Sequence, residues 1–461
     1  MCMADILSQH TQQRCGLLSE LSRFAFYTLF FRGNLKVKMS NLISEDKATN
    51  AKPFYILVLA VLVPFGLGYY MSYLFRTINA IISPQLVSDV GMTPAALGLM
   101  TAVYFITLAT VQLPLGIALD RYGPRKVQST LSIITAAGAL VFALGTDLLT
   151  LTIGRGLIGL GVSGCLMAAL KANVIWFSRS KIPIVNGVIF AFGTAGALTT
   201  TVPLELLIRE VDWRLVFFCL AGIAILSGLV IFFLVPQSSN KNSSEPSAQS
   251  STRSQIADLK LVYGSRYFWR LSMMVALHWG VFLAYQALWA APWLRDVALL
   301  GRSDVAETML IFNIGMLAGV LSIGVFAELL QRLGIQPVVP LIIGTILSII
   351  VQGMFALAWT DYPSLLCFLF GYFGSTSTLV YAVLNQKFPN ELAGRVNTAQ
   401  NMLIFITSFS IQWVAGVIIG LFPAPSEGLY SAEGHQMAIF TFISLEVLGV
   451  IFFLWPRKIK Q

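Results

Sequence analysis

Twelve stretches of the chain are apolar for about 20 residues or more, and Gly, Pro and charged residues gather in the segments between them. A run of that length spans the hydrocarbon core as an α-helix, which satisfies every backbone N–H and C=O internally. The pattern therefore predicts six spanning helices at about 54–82, 94–118, 126–145, 149–172, 184–207 and 214–235. Six more follow at about 268–292, 303–325, 337–358, 363–387, 394–421 and 435–455. Residues 236–255, PQSSNKNSSEPSAQSSTRSQ, break the pattern and read as a flexible Ser-rich linker. The expected organisation is a polar extension at 1–53, a six-helix bundle at 54–235, a linker region at 236–267, a second bundle at 268–455 and a short tail at 456–461. The extension lacks the n-region, h-region and cleavage site of a signal peptide. Its one apolar run, Phe24–Phe31, is too short to span, and a start at Met39 would leave an ordinary polar lead-in.

Composition agrees with a lipid solvent. The chain is 56% hydrophobic and 11% charged, against about 25% charged in soluble domains. The net charge of +9 is explained by where it falls. Of the 30 Lys and Arg, Arg209, Arg214, Arg295 and Arg302 lie on one side of the membrane, Arg76 and Arg155 lie within spans, and the remaining 24 lie on the other side. This bias orients both termini to the cytoplasm and removes the reason to read nucleic-acid binding into the charge. The five cysteines show neither a disulfide framework nor metal-ligand spacing, and no cofactor is expected.

The stretch Leu115–Val127, LGIALDRYGPRKV, gathers the chemistry of a turn between two spans. Gly116 is expected to let two helices approach closely, and Gly123 with Pro124 to force a tight turn. Arg121, Arg125 and Lys126 form a cationic cluster beside Asp120. Asp120 is expected to pair with nearby cations or face a helix N-terminus, such as that of helix 11, as a gate latch. This pattern closely resembles the signature loop between helices 2 and 3 of the major facilitator superfamily. The run Arg155-Gly-Leu-Ile-Gly159-Leu-Gly161 resembles that superfamily's helix 4 motif. The resemblance implies an all-α polytopic membrane protein: twelve helices in two pseudo-symmetric six-helix bundles, with substrate held between them near the midplane. An internal repeat fits this. Pro84–Val90 resembles Pro292–Val297 at an offset of 208. Ala327–Ile335, AELLQRLGI, matches Arg121 and Gly123 with Arg332 and Gly334 at an offset of 211, with Gln331 in place of the acid.

Polar residues inside spans are the candidates for binding. On helix 1, Tyr69, Ser72, Tyr73, Arg76, Asn79 and Ser83 share one face. An arginine at the bilayer centre costs about 2.5–3.5 kcal/mol, so Arg76 reads as functional, with a structural arginine as the alternative. Arg155 sits at similar depth, about 10 Å from the outer end of its helix. With no acid in the middle of that half's spans, the two cations point to an anionic group arriving from outside. The alternative for Arg155 is a side chain that snorkels to the headgroups. On helix 7, His278, Phe282, Tyr285, Gln286 and Trp289 share a face, and His278 reads as the lone histidine within a span. Its imidazole could couple protons or simply pack and hydrogen-bond. Ser375, Thr378, Tyr381, Asn397 and Asn401 could be ligands or interhelical contacts. The substrate-binding set is thus Tyr73, Arg76, Asn79, Arg155, Tyr285, Gln286, Tyr381 and Asn401. Proton coupling is assigned to His278 and, below it, Glu446, because helix 12 lies at the periphery in the resembling fold. Glu205, near the outer end of helix 5, reads as solvated.

The subclass is narrowed by two absences within the resemblance. Helix 5 reads Gly193-Thr-Ala-Gly196-Ala, without the Gly-Pro step of drug–proton antiporters, and helices 2 and 8 lack the arginines of nitrate transporters. The chain looks more like the organic-anion and metabolite symporters. The expected function is proton-coupled import of a small organic acid, amino acid or related metabolite, by a monomer in a bacterial inner membrane. The alternatives are a proton antiporter or exporter, and a non-transporting sensor on the same fold. An enzyme is not expected, since no Walker A, H-E-x-x-H or G-x-S-x-G site is present.

Overall fold

The structure is a computed structural model and describes residues 53–178, 181–237, 260–389, 392–426 and 429–455. The expectations for the 1–52 extension, including Phe24–Phe31 and Met39, and for most of the linker and the tail lie outside the described residues. By their contacts the residues divide into a unit Met1–Leu59, described only from Pro53, and a unit Ala60–Gln461 that holds every contact discussed below.

Among the described residues, eleven helices are long and apolar enough to cross a membrane, twelve when one bent pair is taken as a single span. They are α1 (Phe54–Val90), then a helical run Pro94–Leu144 that Gly123 divides into α2 (94–122) and α3 (124–144), and α4 (Leu148–Trp176). Next come α5 (Ile182–Thr199 and Val202–Glu210, the bent pair) and α6 (Trp213–Leu234). The second half has α7 (Arg266–Asp296), α8 (Arg302–Arg332), α9 (Val338–Ala356), α10 (Pro363–Lys387), α11 (Ala393–Gly420) and α12 (Ala432–Leu454). Helix starts are set by side chains that satisfy the free N–H groups of the first turn. Thr93 accepts from Ala96 N at 3.2 Å, Asp147 from Thr150 N at 2.9 Å, Asp212 from Arg214 N at 2.6 Å and Ser265 from Phe268 N at 3.3 Å.

Four helices depart from the hydropathy pattern, among them α8, which runs on to Arg332. α1 and α7 run past their apolar limits to Val90 and Asp296; the last turn of α7 is largely buried by protein, whereas that of α1 keeps Ser88 and Asp89 exposed. α7 includes a π-helical turn at Tyr285–Trp289. α5 is broken by about 41° at the Thr199–Thr201 step, with Pro203 opening the second segment.

The internal repeat is visible in the backbone. Gly123 and Gly334 both adopt positive φ, at 78° and 81°, in the matching loops. Gly91 (φ 69°) and Leu299 (φ 55°) do the same after α1 and α7, again 208 residues apart. In each half the end of the first helix is tied to the start of the last. Asp89 accepts from Trp213 Nε1 at 2.9 Å and from Arg214 Nη1 at 3.0 Å, while Asp296 Oδ2 lies 3.2 Å from His435 Nε2. Glycines repeat as well: α4 meets α2 where Gly159 faces Tyr104, and α8 meets α10 where Gly319 faces Tyr372. The Gly91 and Leu299 turns mark one end of the bundle, and the Gly123 and Gly334 loops mark the other.

Candidate functional site

The two halves are sealed against each other at the Gly91 end. There α2 crosses α11 at Gly98 and Gly416. A Cβ at Gly98 would lie 2.9 Å from Gln412 O, and one at Gly416 would meet the Pro94 carbonyl. The fully buried Trp289 ring fills the space beside both glycines and donates its Nε1–H to Gln412 O at 2.9 Å. Nearby, α5 meets α8. Arg302 Nε lies 3.1 Å from Glu205 Oε1, and Arg209 Nη2 donates to Ser303 Oγ at 2.6 Å. Glu205 also takes Arg209 from its own helix, Nε to Oε2 at 2.9 Å. The expectation of a solvated Glu205 is therefore wrong: its side chain is 2% exposed. The break in α5 turns it from the lipid-water boundary into the seam between the halves.

Between the sealed end and the Gly123 end, α1 presents Arg76. Its guanidinium stacks 4.4 Å from the Tyr73 ring centroid, and its Nε has no protein partner. Tyr381, from α10 of the other half, lies within electrostatic reach of both Tyr73 and Arg76, and its hydroxyl donates to Asn401 Oδ1. Tyr73, Tyr381 and Asn401 keep partial exposure. Trp279 packs edge-on against Tyr381, with ring centroids 6.0 Å apart. These four sequence candidates, Tyr73, Arg76, Tyr381 and Asn401, thus come together on facing walls of the two halves.

Arg155 does not snorkel. It is fully enclosed, donates from Nη1 to Phe75 O at 2.7 Å, and lies 5.2 Å over the Tyr104 ring. Its Nε and Nη2 have no partner. Tyr104, which the sequence reading did not single out, lies beside both arginines and donates to Ser72 O at 3.0 Å. Its only sequence signal was a phenol in an otherwise apolar span. Arg155 therefore grips the α1 backbone at the residue before Arg76.

Asn79 and Gln286 face inward within their own halves. Asn79 Nδ2 donates to Thr101 Oγ1 at 3.0 Å, and Gln286 Nε2 to Asn313 Oδ1 at 3.0 Å. Each has a carbonyl oxygen without a partner. The Tyr285 hydroxyl is likewise buried and unpartnered, with its ring against Phe370. Ser375 and Thr378 donate to backbone carbonyls of their own helix.

The two proton-coupling candidates form one unit. His278 Nδ1 lies 3.0 Å from Glu446 Oε2, both side chains are fully buried, and Gln352 Nε2 donates to the same oxygen at 3.2 Å. The peripheral place expected of helix 12 does not leave Glu446 at the surface: α12 turns this acid inward onto α7 and α9. Nor is His278 the lone intramembrane histidine: His435, in the first turn of α12, is also fully buried. It faces Asp296, which Arg295 holds through both carboxylate oxygens.

At the Gly123 end, Asp120 is 82% exposed and pairs with Lys171 of α4, not with the start of α11. Gly116 is exposed, and a Cβ there would meet no heavy atom within 4 Å, so it permits no close approach in this state. Arg121 stacks on Tyr122 and Arg125 on Phe232, while Lys126 is exposed. A cleft of about 390 Å³ between α1, α5 and α6 is lined mainly by Leu, Ile and Val with no ionisable group except Tyr70, so it offers nothing to hold an anion. Among the described residues no cluster of three or more metal-ligating side chains occurs.

Comparison with known proteins agrees with this architecture. The probable sulfoacetate transporter SauU of Cupriavidus necator is 24% identical over 177 residues, 38% of this chain and 41% of that protein. The chain thus spans about two fifths of that relative's length. The probable galactarate/D-glucarate transporter GudP of Escherichia coli (strain K12) is 22% identical over 427 residues, 82% of this chain and 89% of its own. Among solved structures, a bacterial homologue of the human lysosomal transporter Spinster, inward-facing and unoccupied, superposes with a TM-score of 0.70 at 15% identity. That match covers 87% of this chain and 97% of the other. A D-xylose–proton symporter superposes with a TM-score of 0.64. Residues 65–412 match the sequence profile of the Major Facilitator Superfamily, and the chain belongs to that family.

Proposed function

We propose that this protein is a secondary transporter of small organic anions, working by alternating access and driven by protons. The observation behind this reading is the pair of arginines in the first half. Arg76 and Arg155 flank Tyr104, both have guanidinium nitrogens without a partner, and the acids of that half, such as Asp89, Asp120 and Glu205, lie toward helix ends. An uncompensated intramembrane cation is costly. A carboxylate or sulfonate arriving at Arg76 would relieve that cost through charge-assisted hydrogen bonds. Two relatives with anionic substrates in their names, SauU and GudP, support the same class. Tyr73, Tyr381 and Asn401 complete the site from both walls, and Arg155 positions Arg76 by holding the Phe75 carbonyl. Tyr285 and Gln286 support the facing wall from α7, and Asn79 fixes α1 to α2.

The bias of Lys and Arg supports an orientation with the Gly123 end and both termini in the cytoplasm, in a bacterial inner membrane. The sealed Gly91 end is then the outer side, and the arrangement is inward-facing. Asp120, Arg121, Arg125 and Lys126, with Gly116 and Gly123, serve the cytoplasmic gate that closes in the opposite state. With no acid deep in the first half, the proton falls to His278 and Glu446 in the second. The protein works as a monomer.

Arg76→Lys tests the reading. It keeps the charge but loses the two-pronged donor. Loss of one charge-assisted hydrogen bond costs about 1.5–3 kcal/mol, roughly ten- to 150-fold in affinity. Binding of sulfoacetate and D-glucarate to purified protein, followed by thermal shift, should weaken at least about ten-fold with expression and melting unchanged. Equal binding by Arg76→Lys and the parent protein would remove the anion site.

A further inference from the structure

The contact between α5 and α8 carries an inference beyond the substrate site. Glu205 lies on the short segment Val202–Glu210 that follows the break in α5. It reaches the first residue of α8, Arg302, in the other half, at 3.1 Å. Arg209, one turn on, holds Glu205 from its own helix and also donates to Ser303 across the same seam. Two side chains from one turn of α5 thus clasp the first turn of α8. Beside them lies a cavity of about 170 Å³ between the halves, lined by Ser83, Pro84, Ala291, Pro292, Arg295 and Arg302 among others. The acid is buried and the arginine is 45% exposed at its side chain, so the pair is solvated on one side only.

We propose that Glu205 and Arg302 form the latch that holds the outer side closed, and that their separation is a required step in opening the transporter outward. The buried acid takes one arginine from each half, Arg209 from its own helix and Arg302 from across the seam. Separation of the halves takes Arg302 away, while Arg209 travels with Glu205 and keeps its charge paired. Arg209 therefore makes the broken latch tolerable rather than an isolated buried charge, which would be far more costly. The latch then opens and closes with a modest difference in energy, as a carrier that cycles between two states needs. Helix 5 is also bonded to the substrate helix at the break. Thr200 Oγ1 lies 2.7 Å from Thr77 Oγ1, next in sequence to Arg76, so the latch segment begins on the element that carries the anion site.

This inference rests on the alternating-access reading, but its test needs no substrate, so it stands or falls apart from the anion site. The full chain carries a single cysteine through Ser83→Cys, which is buried beside the seam cavity, with the five native cysteines replaced. It is reconstituted in vesicles and labelled from outside with a membrane-impermeant maleimide. Glu205→Gln and Arg302→Gln should each label about ten-fold faster than the parent, equivalent to about 1.4 kcal/mol. The double variant should label no faster than either single change, since both remove the same contact. Should Glu205→Gln fail to insert, Arg302→Gln alone carries the comparison, because its side chain is half in water. Labelling within two-fold of the parent in the single variants that insert, or effects that multiply in the double variant, would overturn the latch.

Discussion

The buried pair of His278 and Glu446 makes a sharp energetic prediction. Glu446 Oε2 lies 3.0 Å from His278 Nδ1 and accepts from Gln352 Nε2 at 3.2 Å, and neither member of the pair reaches water. Glu446→Ala leaves two buried donors unpaired. Each costs about 1–3 kcal/mol, so the variant should lose about 2–6 kcal/mol of stability, with little relief from solvent. Glu446→Gln keeps an acceptor oxygen and should lose far less. It keeps an oxygen facing both neighbours and should lose no more than about 1 kcal/mol for each hydrogen bond. Denaturant titration in detergent of Glu446→Ala, His278→Ala and the double variant gives the coupling directly. Residues in one buried network show interaction energies of about 0.5–3 kcal/mol. Additive single changes would mean the pair does not form. The same variants separate structure from coupling. Glu446→Gln should retain downhill counterflow while losing accumulation driven by a pH gradient. A Glu446→Gln protein that still concentrates substrate against its gradient would refute proton carriage by this pair.

Two further outcomes test the ends of the bundle. Gly416→Ala places a Cβ against the Pro94 carbonyl and 3.1 Å from Trp289. Overpacking of this kind costs about 1–3 kcal/mol, here borne by the outer-closed state alone, and external labelling at Ser83→Cys should accelerate; an unchanged rate would show that the seam yields. Asp120→Asn breaks only the exposed pair with Lys171, so melting should shift by less than about 0.5 kcal/mol in stability while turnover falls sharply, and wild-type turnover would exclude Asp120 from the gate.

The spans were legible because lipid imposes a single rule on length and polarity. The loop at Gly123 was legible because a positive φ followed by proline leaves a plain mark in sequence. Tyr73 and Arg76 were singled out by periodicity, since a polar stripe in a greasy helix must face protein or a cavity, and Tyr381 and Asn401 simply as polar residues inside spans. The partners were harder. Nothing local tells that Glu446 meets His278 across 168 positions, and the peripheral place expected of helix 12 argued the other way. Glu205 was misread because hydropathy cannot see a helix bend. The TTTVP sequence at 199–203 held the clue, as it combines β-branched residues with proline. Tyr104 escaped because a single phenol in an apolar run looks like core, and only Arg155 and Arg76 on either side give it a role. Gly116 was misread because a glycine in a motif says nothing about which conformational state uses its missing side chain.

The paired ties at the ends of α1 and α7 have a consequence for how solution conditions reach the molecule. Both pin a first helix to a last helix, but their materials differ. In the first half the pin is Asp89 with Arg214, with side chains 36% and 29% exposed, where dissolved ions can screen it. In the second half it is Asp296 with His435, whose side chains are both fully enclosed and beyond the reach of salt. The same joint, repeated in the two halves, therefore answers differently to its surroundings: ionic strength slackens the first and leaves the second untouched.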